Sequence, residues 1–103
     1  MTEEVRFKIL KMLADNPDVS QRELANQMGI SLGKVNYCIN ALKDKGLVKV
    51  RNFHNNPDKR RYLYMLTPKG VDEKARVTAR FLVRKIEEYE LLRQEIEQLR
   101  KEL

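Results

Sequence analysis

The sequence is poor in the residues on which disulfide-bonded, metal-binding and enzymatic proteins depend. Its 103 residues include one cysteine, one histidine, four glycines and no tryptophan. A lone cysteine cannot form an internal disulfide, and with no cluster of cysteine and histidine we expect neither a bound metal nor a cofactor. The chain also offers no Gly-rich nucleotide loop and no nucleophile–base pair, so we expect no enzymatic activity.

Long apolar runs are missing as well. No stretch approaches the roughly 18 apolar residues that span a bilayer, and no apolar signal segment follows Met1. We therefore expect a cytoplasmic protein that is neither exported nor active at a membrane. With 35% charged residues, a chain of this length can build one modest core and little more.

What the sequence has in excess is positive charge, and one segment carries all of the surplus. Residues 31–70 contain nine basic and two acidic side chains, whereas the remaining residues contain twelve basic and thirteen acidic ones. Basic charge concentrated in this way is typical of a surface that binds phosphates, as in proteins that bind nucleic acids. The alternative is a solvated charged face without a partner.

Capping signals predict two helices in the first thirty residues. Thr2 is a candidate N-cap, and the first helix ends before Pro17, because the residue that precedes a proline leaves the helical region. Ser20 caps a second helix, and Glu23 stands three residues later, as in a capping box. Gly29 ends this helix.

A third helix follows after a tight turn, which predicts a helix-turn-helix. Ser31 is its candidate cap and Gly46 its end. At 100° per residue, one apolar face points inward. That face consists of Val35, Cys38, Ile39 and Leu42. Because Cys38 lies among apolar neighbours, we expect it to be structural and not a redox sensor.

Two strands and a long helix complete the predicted fold. Alternating and β-branched residues predict strands over 47–53 and 62–66, joined by a turn over 54–61. Thr67 caps the last helix, and Pro68 stands at its first position, where its missing N–H costs nothing. The predicted fold class is mainly α with a small β wing: a winged helix-turn-helix DNA-binding domain over residues 1–70, then a C-terminal coiled-coil dimerisation helix over residues 71–103.

The candidates for DNA contact are the third-helix side chains that point away from the apolar face. A recognition helix presents its N-terminal residues to base edges in the major groove. Asn36 can bond both N6 and N7 of adenine, and Lys34 can reach a phosphate or a guanine. Gly33 lets the backbone approach closely. The predicted DNA-binding residues of this helix and its cap are Ser31, Gly33, Lys34, Asn36, Tyr37 and Asn40.

The predicted wing adds three more candidates, Lys59, Arg60 and Arg61, at or beside the hairpin tip. Arginine inserted into a narrow minor groove reads the shape of the groove, which suits a wing. We therefore predict that these three residues bind DNA as well. The alternative is an ordinary solvated turn.

Five motifs resemble those of the MarR family of bacterial transcriptional regulators. They are SQRELA (residues 20–25), MGIS (28–31), KGLV (45–48), PDKRR (57–61) and LTPKG (66–70). The resemblance implies a winged helix-turn-helix whose partner is double-stranded DNA. It also implies that Asp58 orients an arginine of the wing.

Three further segments resemble a short subgroup of the family. LGKVNYC (residues 32–38), TARFL (78–82) and KIEEY (85–89) are similar to the EPS-associated MarR-type regulators, which occur near exopolysaccharide gene clusters. The resemblance implies control of exopolysaccharide genes. Typical MarR proteins are longer and hold a small-molecule pocket between their dimerisation and DNA-binding parts. Because this chain starts directly at its first DNA-binding helix, we expect no small-molecule effector.

The last helix carries a heptad seam, which predicts a homodimer. The predicted dimerisation residues are Leu82, Ile86, Tyr89, Leu92, Ile96, Leu99 and Leu103. With Tyr89 at heptad position a, Glu88 and Glu95 stand at g, and Arg93 and Arg100 stand at e. A parallel pair matches opposite charges, whereas an antiparallel pair sets like charges together, so we predict parallel helices. A single amphipathic helix docked elsewhere is the alternative.

The sequence thus predicts a homodimeric, sequence-specific DNA-binding transcriptional regulator, and we expect a repressor. Parallel helices would place two recognition helices about 34 Å apart on successive major grooves, which implies a near-palindromic operator. The alternative from another class is a winged-helix protein-interaction adaptor without sequence-specific DNA binding. A steep fall of nucleic-acid affinity with salt would separate the two.

Overall fold

A computed structural model describes residues 1–52 and 62–103, and it confirms the predicted fold class. Helices dominate, with a two-stranded antiparallel wing and a long C-terminal helix. In order, the elements are α1 (Glu3–Asp15), α2 (Gln21–Met28), α3 (Leu32–Asp44), β1 (Val48–Asn52), β2 (Tyr62–Leu66) and α4 (Pro68–Lys101). Within the described residues, no helix is long and apolar enough to cross a membrane.

Each helix begins directly after the residue that the sequence predicts as its N-cap. The caps are Thr2, Ser20, Ser31 and Thr67, and each side-chain oxygen accepts a backbone N–H three residues later. At α2, the Ser20 hydroxyl accepts from the Glu23 N–H at 3.0 Å, which is one half of the predicted capping box. A cap of this kind contributes about 1 kcal/mol, so local sequence fixes where the helices start.

The core lies where α1, α2 and α3 meet the wing. The largest fully buried side chains of its cluster are Ile9, Leu10 and Leu13 from α1, Leu24 from α2, and Val35, Cys38, Ile39 and Leu42 from α3. All four residues predicted to point inward from α3 are buried, Cys38 at 1% exposure. Burying side chains of this size contributes about 1.5–3 kcal/mol each, so this face holds α3 in place.

The two described strands of the wing pair in one antiparallel register, with Val50 opposite Tyr64. The Tyr64 N–H donates to the Pro17 carbonyl at 3.0 Å, which joins β2 to the turn between α1 and α2. Tyr64 is itself buried. β1 and β2 match the predicted strands within one residue, except at residue 53. That residue and the predicted turn over 54–61 lie outside the described residues.

The end of α3 is joined to the start of α4 by three hydrogen bonds, which we call the α3–α4 junction. The Thr67 hydroxyl donates to the Gly46 carbonyl at 2.6 Å, and the Thr67 N–H donates to the Leu47 carbonyl at 3.0 Å. The Lys69 ammonium donates to the Lys45 carbonyl at 3.2 Å. These bonds satisfy carbonyls that the end of α3 leaves unpaired, and they fix the direction in which α4 departs.

Gly70 belongs to the same junction for a steric reason. A Cβ atom built on Gly70 would lie 2.0 Å from the Leu47 carbonyl oxygen, far inside van der Waals contact. Gly70 is buried in the first turn of α4. The closeness of the two backbones therefore requires glycine at this position.

The first half of α4 packs along α1 through contacts that we call the α1–α4 clasp. The rings of Phe7 and Phe81 stack with their centroids 4.8 Å apart, and such pairs contribute about 0.5–1.5 kcal/mol beyond their burial. The ion pairs of the clasp join Arg6 to Glu73, and Glu3 to both Arg80 and Arg84. These contacts extend to Arg84, so α4 stays against the winged part for about half of its length.

Beyond the clasp, α4 projects away from the rest of the chain. Every residue from 85 to 103 is exposed, and this stretch is the distal segment of α4. Its exposed large apolar side chains are Ile86, Tyr89, Leu91, Leu92, Ile96, Leu99 and Leu103. All seven residues of the predicted seam are therefore open to solvent in the single chain, Leu82 among them. The division into domains at residue 70 stays a prediction.

Candidate nucleic-acid interface

The outward face of α3 is open to solvent along its whole length. Gly33, Lys34, Asn36, Tyr37 and Asn40 are all exposed. Tyr37 is 67% exposed although it is a large aromatic residue. Most of its surface is therefore not covered by the described residues. The structure brings these five predicted residues together on one helix face. Their contact with DNA stays a prediction.

Ser31, the sixth predicted residue of this region, is the N-cap of α3. Its hydroxyl accepts the Lys34 backbone N–H at 3.1 Å. The cap starts α3 at Leu32 and thereby sets which residues form the first turn. Ser31 thus has a structural role, and a contact of its own with DNA stays a prediction.

Gly33 has no steric requirement inside the chain. A Cβ atom built on it would meet no atom within 4 Å, and its backbone lies outside the left-handed region that favours glycine. Glycine in a helix costs about 0.5–1 kcal/mol relative to alanine. A glycine that the fold does not need, in the first turn of the exposed face, is what a close external partner would require.

A polar network links α2, α3 and the wing at this face. The Gln21 amide nitrogen donates to Asn36 Oδ1 at 3.4 Å and to the Tyr64 hydroxyl at 3.2 Å. The Asn40 amide donates to the same Asn36 oxygen at 3.5 Å. Gln21 is half-buried, whereas Asn36 and Asn40 are exposed. No local sequence pattern identifies Gln21, since its partners lie 15 and 43 residues further along the chain.

The described residues between 31 and 70 carry mainly positive charge. Of the described residues between 31 and 70, six are basic and one is acidic, and all seven are exposed. The basic ones are Lys34, Lys43, Lys45, Lys49, Arg51 and Lys69; the acidic one is Asp44. Much of the charge surplus seen in the sequence is thus available to a polyanion.

The three wing candidates Lys59, Arg60 and Arg61 lie outside the described residues, as does Asp58. Their role in DNA binding stays a prediction from the sequence. In the part of the chain that is described, no group of three or more His, Cys, Asp or Glu side chains could hold a metal ion.

Known proteins resemble this chain in sequence and in fold. Residues 2–49 match the family described as winged helix-turn-helix DNA-binding, a range that ends within β1. A protein of Thauera aromatica, whose name proposes transcriptional regulation of the hcr operon, is 37% identical over 71 residues. That match covers 69% of this chain and 42% of the relative.

Two solved structures show the same likeness in three dimensions. Apo MarR from E. coli shares 26% identity with a TM-score of 0.61, over 70% of this chain and 52% of MarR. The transcriptional repressor CouR, bound to a 23-mer DNA duplex, shares 32% identity with a TM-score of 0.62, over 71% of this chain and 50% of CouR. The chain shares the winged helix-turn-helix fold of these proteins.

The Thauera protein and CouR are both named for transcriptional regulation. A winged helix-turn-helix fold explains why α3 has one buried and one exposed face, since the helix must pack and also remain open. The chain spans about half or less of the length of these three relatives. The resemblance to the exopolysaccharide-associated subgroup stays a prediction, as does the expectation that no small-molecule effector acts on the protein.

Proposed function

We propose that this protein is a sequence-specific DNA-binding transcriptional regulator that places α3 in the major groove. The exposed polar face of α3, in a part of the chain with six exposed basic side chains and one acidic one, is the observation that carries the proposal. Cations supply affinity for any duplex by contacting phosphates, whereas amide and aromatic side chains on α3 supply base readout. The DNA-bound structure of CouR supports this reading.

Roles divide among the residues according to their chemistry. Asn36, Asn40 and Tyr37 meet base edges, and Lys34 at the start of α3 binds a phosphate or guanine. Lys59, Arg60 and Arg61 in the wing follow the phosphates or enter the minor groove. The likeness to a named repressor supports repression, and the resemblance of residues 32–38 and 78–89 to the EPS-associated subgroup supports exopolysaccharide genes as targets.

The protein acts as a homodimer, with residues 1–70 binding DNA and residues 71–103 dimerising. The seam residues are exposed in the single chain, at between 41% for Ile96 and 67% for Leu99 in its central part. Two copies that pair these seams would bury a continuous apolar stripe, which is a strong reason for association.

The charges beside the seam support a parallel pair. In the single chain, Arg93 pairs with Glu90 at 3.1 Å and Glu88 pairs with Lys85 at 3.1 Å, both within one turn of the helix. Exposed pairs of this kind contribute only about 0.3–0.5 kcal/mol. Exchanging them for Glu88–Arg93 pairs between copies costs little, so the apolar seam decides association and the charges decide orientation. The operator is then near-palindromic, with half-sites about 34 Å apart.

The experiment that tests the proposal is a salt titration of binding to a duplex selected from a random pool, compared with scrambled DNA. We expect preference for the selected duplex and a steep linear fall of log affinity with log salt. Gly33→Ala is the informative variant. It should stabilise the free protein by about 0.5–1 kcal/mol and yet weaken DNA binding, because the added methyl group stands where the duplex approaches.

A different pattern would contradict the proposal. If Gly33→Ala stabilises the protein and leaves binding to both duplexes unchanged, α3 does not approach DNA closely. If the wild type shows neither sequence preference nor salt dependence, the basic surface serves a protein partner, and the adaptor alternative replaces this function.

A further inference from the structure

The polar network on α3 is arranged so that one amide oxygen is the shared acceptor. Asn36 Oδ1 accepts from Gln21 at 3.4 Å and from Asn40 at 3.5 Å. Both are long hydrogen bonds, and in both the Asn36 oxygen is the acceptor. A carbonyl oxygen has two acceptor sites, so the two donors occupy both sites of Asn36 Oδ1.

The wing holds the side chain of Gln21 in place. Its amide nitrogen carries two hydrogens, and the nitrogen donates to both Asn36 and the Tyr64 hydroxyl. The ring of Tyr64 is only 6% exposed, so the core fixes where that hydroxyl stands. Turning over the Asn36 amide alone would set its NH₂ group against the NH₂ groups of Gln21 and Asn40, so the orientations of the three amides are coupled.

The network leaves the Asn36 amide nitrogen and the Asn40 carbonyl oxygen unused, and these two groups are of opposite kind. Among the described residues, the Asn36 amide nitrogen donates to no acceptor, so the exposed part of Asn36 is a donor. Asn40 gives one of its two amide hydrogens to the network, so its carbonyl oxygen and its second N–H remain exposed. The two residues are four positions apart, a rise of about 6 Å along α3 at 1.5 Å per residue, or nearly two base-pair steps of 3.4 Å.

We propose that Gln21 is a positioning residue that sets the base specificity of α3 by presenting Asn36 as a donor and Asn40 as an acceptor. The inference rests on the proposed DNA-binding function and specifies its readout. Asn36 then selects a base whose major-groove edge offers acceptors alone, guanine before thymine, and Asn40 selects the amino group of adenine or cytosine. This arrangement disfavours the bidentate adenine contact that the sequence suggests for Asn36, because the Asn36 oxygen already accepts from Gln21 and Asn40.

The test begins with the duplex selected by the wild type and replaces each base pair in turn. Asn36→Ala identifies the position that Asn36 reads, since preference there disappears. We expect guanine or thymine at that position. If it is guanine, 7-deazaguanine, which lacks the N7 acceptor, should weaken binding by wild type about tenfold and binding by Asn36→Ala hardly at all.

Gln21 is then tested with two substitutions and a matched control. Gln21→Met keeps the length of the side chain but removes its donors, so preference at the Asn36 position should fall to a few-fold or less. Gln21→Glu offers an acceptor instead, so the Asn36 amide should turn over and favour adenine or cytosine. Gln27→Glu, at an exposed position near the end of α2, adds the same charge without touching the network and should weaken all duplexes equally.

Several results would overturn the inference alone. Adenine at the Asn36 position, with loss of binding when its amino group is removed, would show the bidentate contact. Equal weakening of selected and scrambled DNA by Gln21→Met, with a flatter salt dependence, would make Gln21 a phosphate contact. An unaltered preference in Gln21→Met, with Asn36→Ala still effective, would remove the positioning role. A wild type without preference for any duplex would overturn the proposed function as well.

Discussion

The winged part of the molecule and the distal segment of α4 both contain apolar residues at helical spacing. These residues are buried in the winged part and exposed to solvent in the distal segment. In α1 the residues Ile9, Leu10 and Leu13 are all 0% exposed. In the distal segment Ile96 and Leu99 are 41% and 67% exposed. The difference does not come from the helices themselves, since both are amphipathic. It comes from whether the chain supplies the surface that covers the stripe.

Folding stability and self-association therefore depend on different parts of this protein. A substitution in the winged part changes contacts that the single chain makes, so it acts on folding. A substitution in the distal segment changes contacts that only a second copy can make, so it acts on association.

The largest effect is expected from Ile96→Glu combined with Leu99→Glu. Charged groups on the seam would prevent pairing and leave a monomer, because an apolar interface cannot bury unpaired carboxylates. Affinity for the operator should fall about 100-fold or more, since the advantage of two linked half-sites is lost. Sedimentation and DNA binding would measure both outcomes.

Leu13→Ala is the contrasting control for the seam variant. It should lower the free energy of unfolding by about 2–5 kcal/mol because it leaves a cavity in the core. The seam variant, in contrast, should unfold at nearly the temperature expected for a single wild-type chain. Wild-type protein that sediments as a monomer at micromolar concentration would contradict the assigned role of the distal segment, and so would an antiparallel pair of α4 helices.

An intermediate effect is expected from Gly70→Ala, which acts at the α3–α4 junction where the two regions meet. Its methyl group would lie 2.0 Å from the Leu47 carbonyl oxygen, so the start of α4 must move. Overpacking of this kind costs about 1–3 kcal/mol, measurable by denaturant unfolding. Gly33→Ala, in the first turn of α3 with no neighbour within 4 Å, is the matched control and should not destabilise. Equal effects of the two variants would show that the close approach at Gly70 is relaxed without cost.

The smallest effect concerns acid and the α1–α4 clasp. The hydrogen bond from Arg80, with further contributions from the charges of Arg80 and Arg84, holds the pKa of Glu3 below its usual value of 4.5. A depressed pKa in the folded state means that the clasp contributes stability above about pH 4.5. That contribution is lost as the pH falls through the lowered pKa.

Thermal unfolding between neutral pH and pH 3 would measure this loss, which Glu3→Gln should reduce. Asp15→Asn provides the comparison, because the pKa of Asp15 is lowered mainly by its hydrogen bond from Lys11 within α1, and the charge of Lys74 on α4 adds only the last contribution. A wild-type protein and a Glu3→Gln variant with parallel pH profiles would show that the ion pairs of Glu3 do not stabilise the clasp, which the stacked Phe7 and Phe81 rings and the Arg6–Glu73 pair would then hold.

The fold could be predicted from the sequence where the determining signals are local. Ser20 and Ser31 start their helices through hydroxyl groups that reach only three residues along the chain. The spacing of Val35, Cys38, Ile39 and Leu42 placed the inner face of α3 correctly for the same reason, since 3.6-residue periodicity is a property of one segment.

The site could be predicted only in part, because some of its determinants are far apart in sequence. Gly70 is required by a carbonyl 23 positions earlier, and no pattern around residue 70 reveals that contact. Gln21 gains its role from Asn36 and Tyr64, which lie on two other elements. Polar residues near a helix start are common, so their partners become visible only when the helices and the wing are placed together.

The α3–α4 junction has a consequence for the length of the DNA between two half-sites. α4 is 34 residues long, and a tilt of about 5° at one end of a helix of about 50 Å moves the other end by about 4 Å. This displacement exceeds the 3.4 Å rise of one base pair. In the proposed dimer, the hydrogen bonds of Thr67 and the bare backbone of Gly70 therefore determine the number of base pairs that separate the half-sites. A variant altered there should select operators with a different spacer length while it reads the same bases.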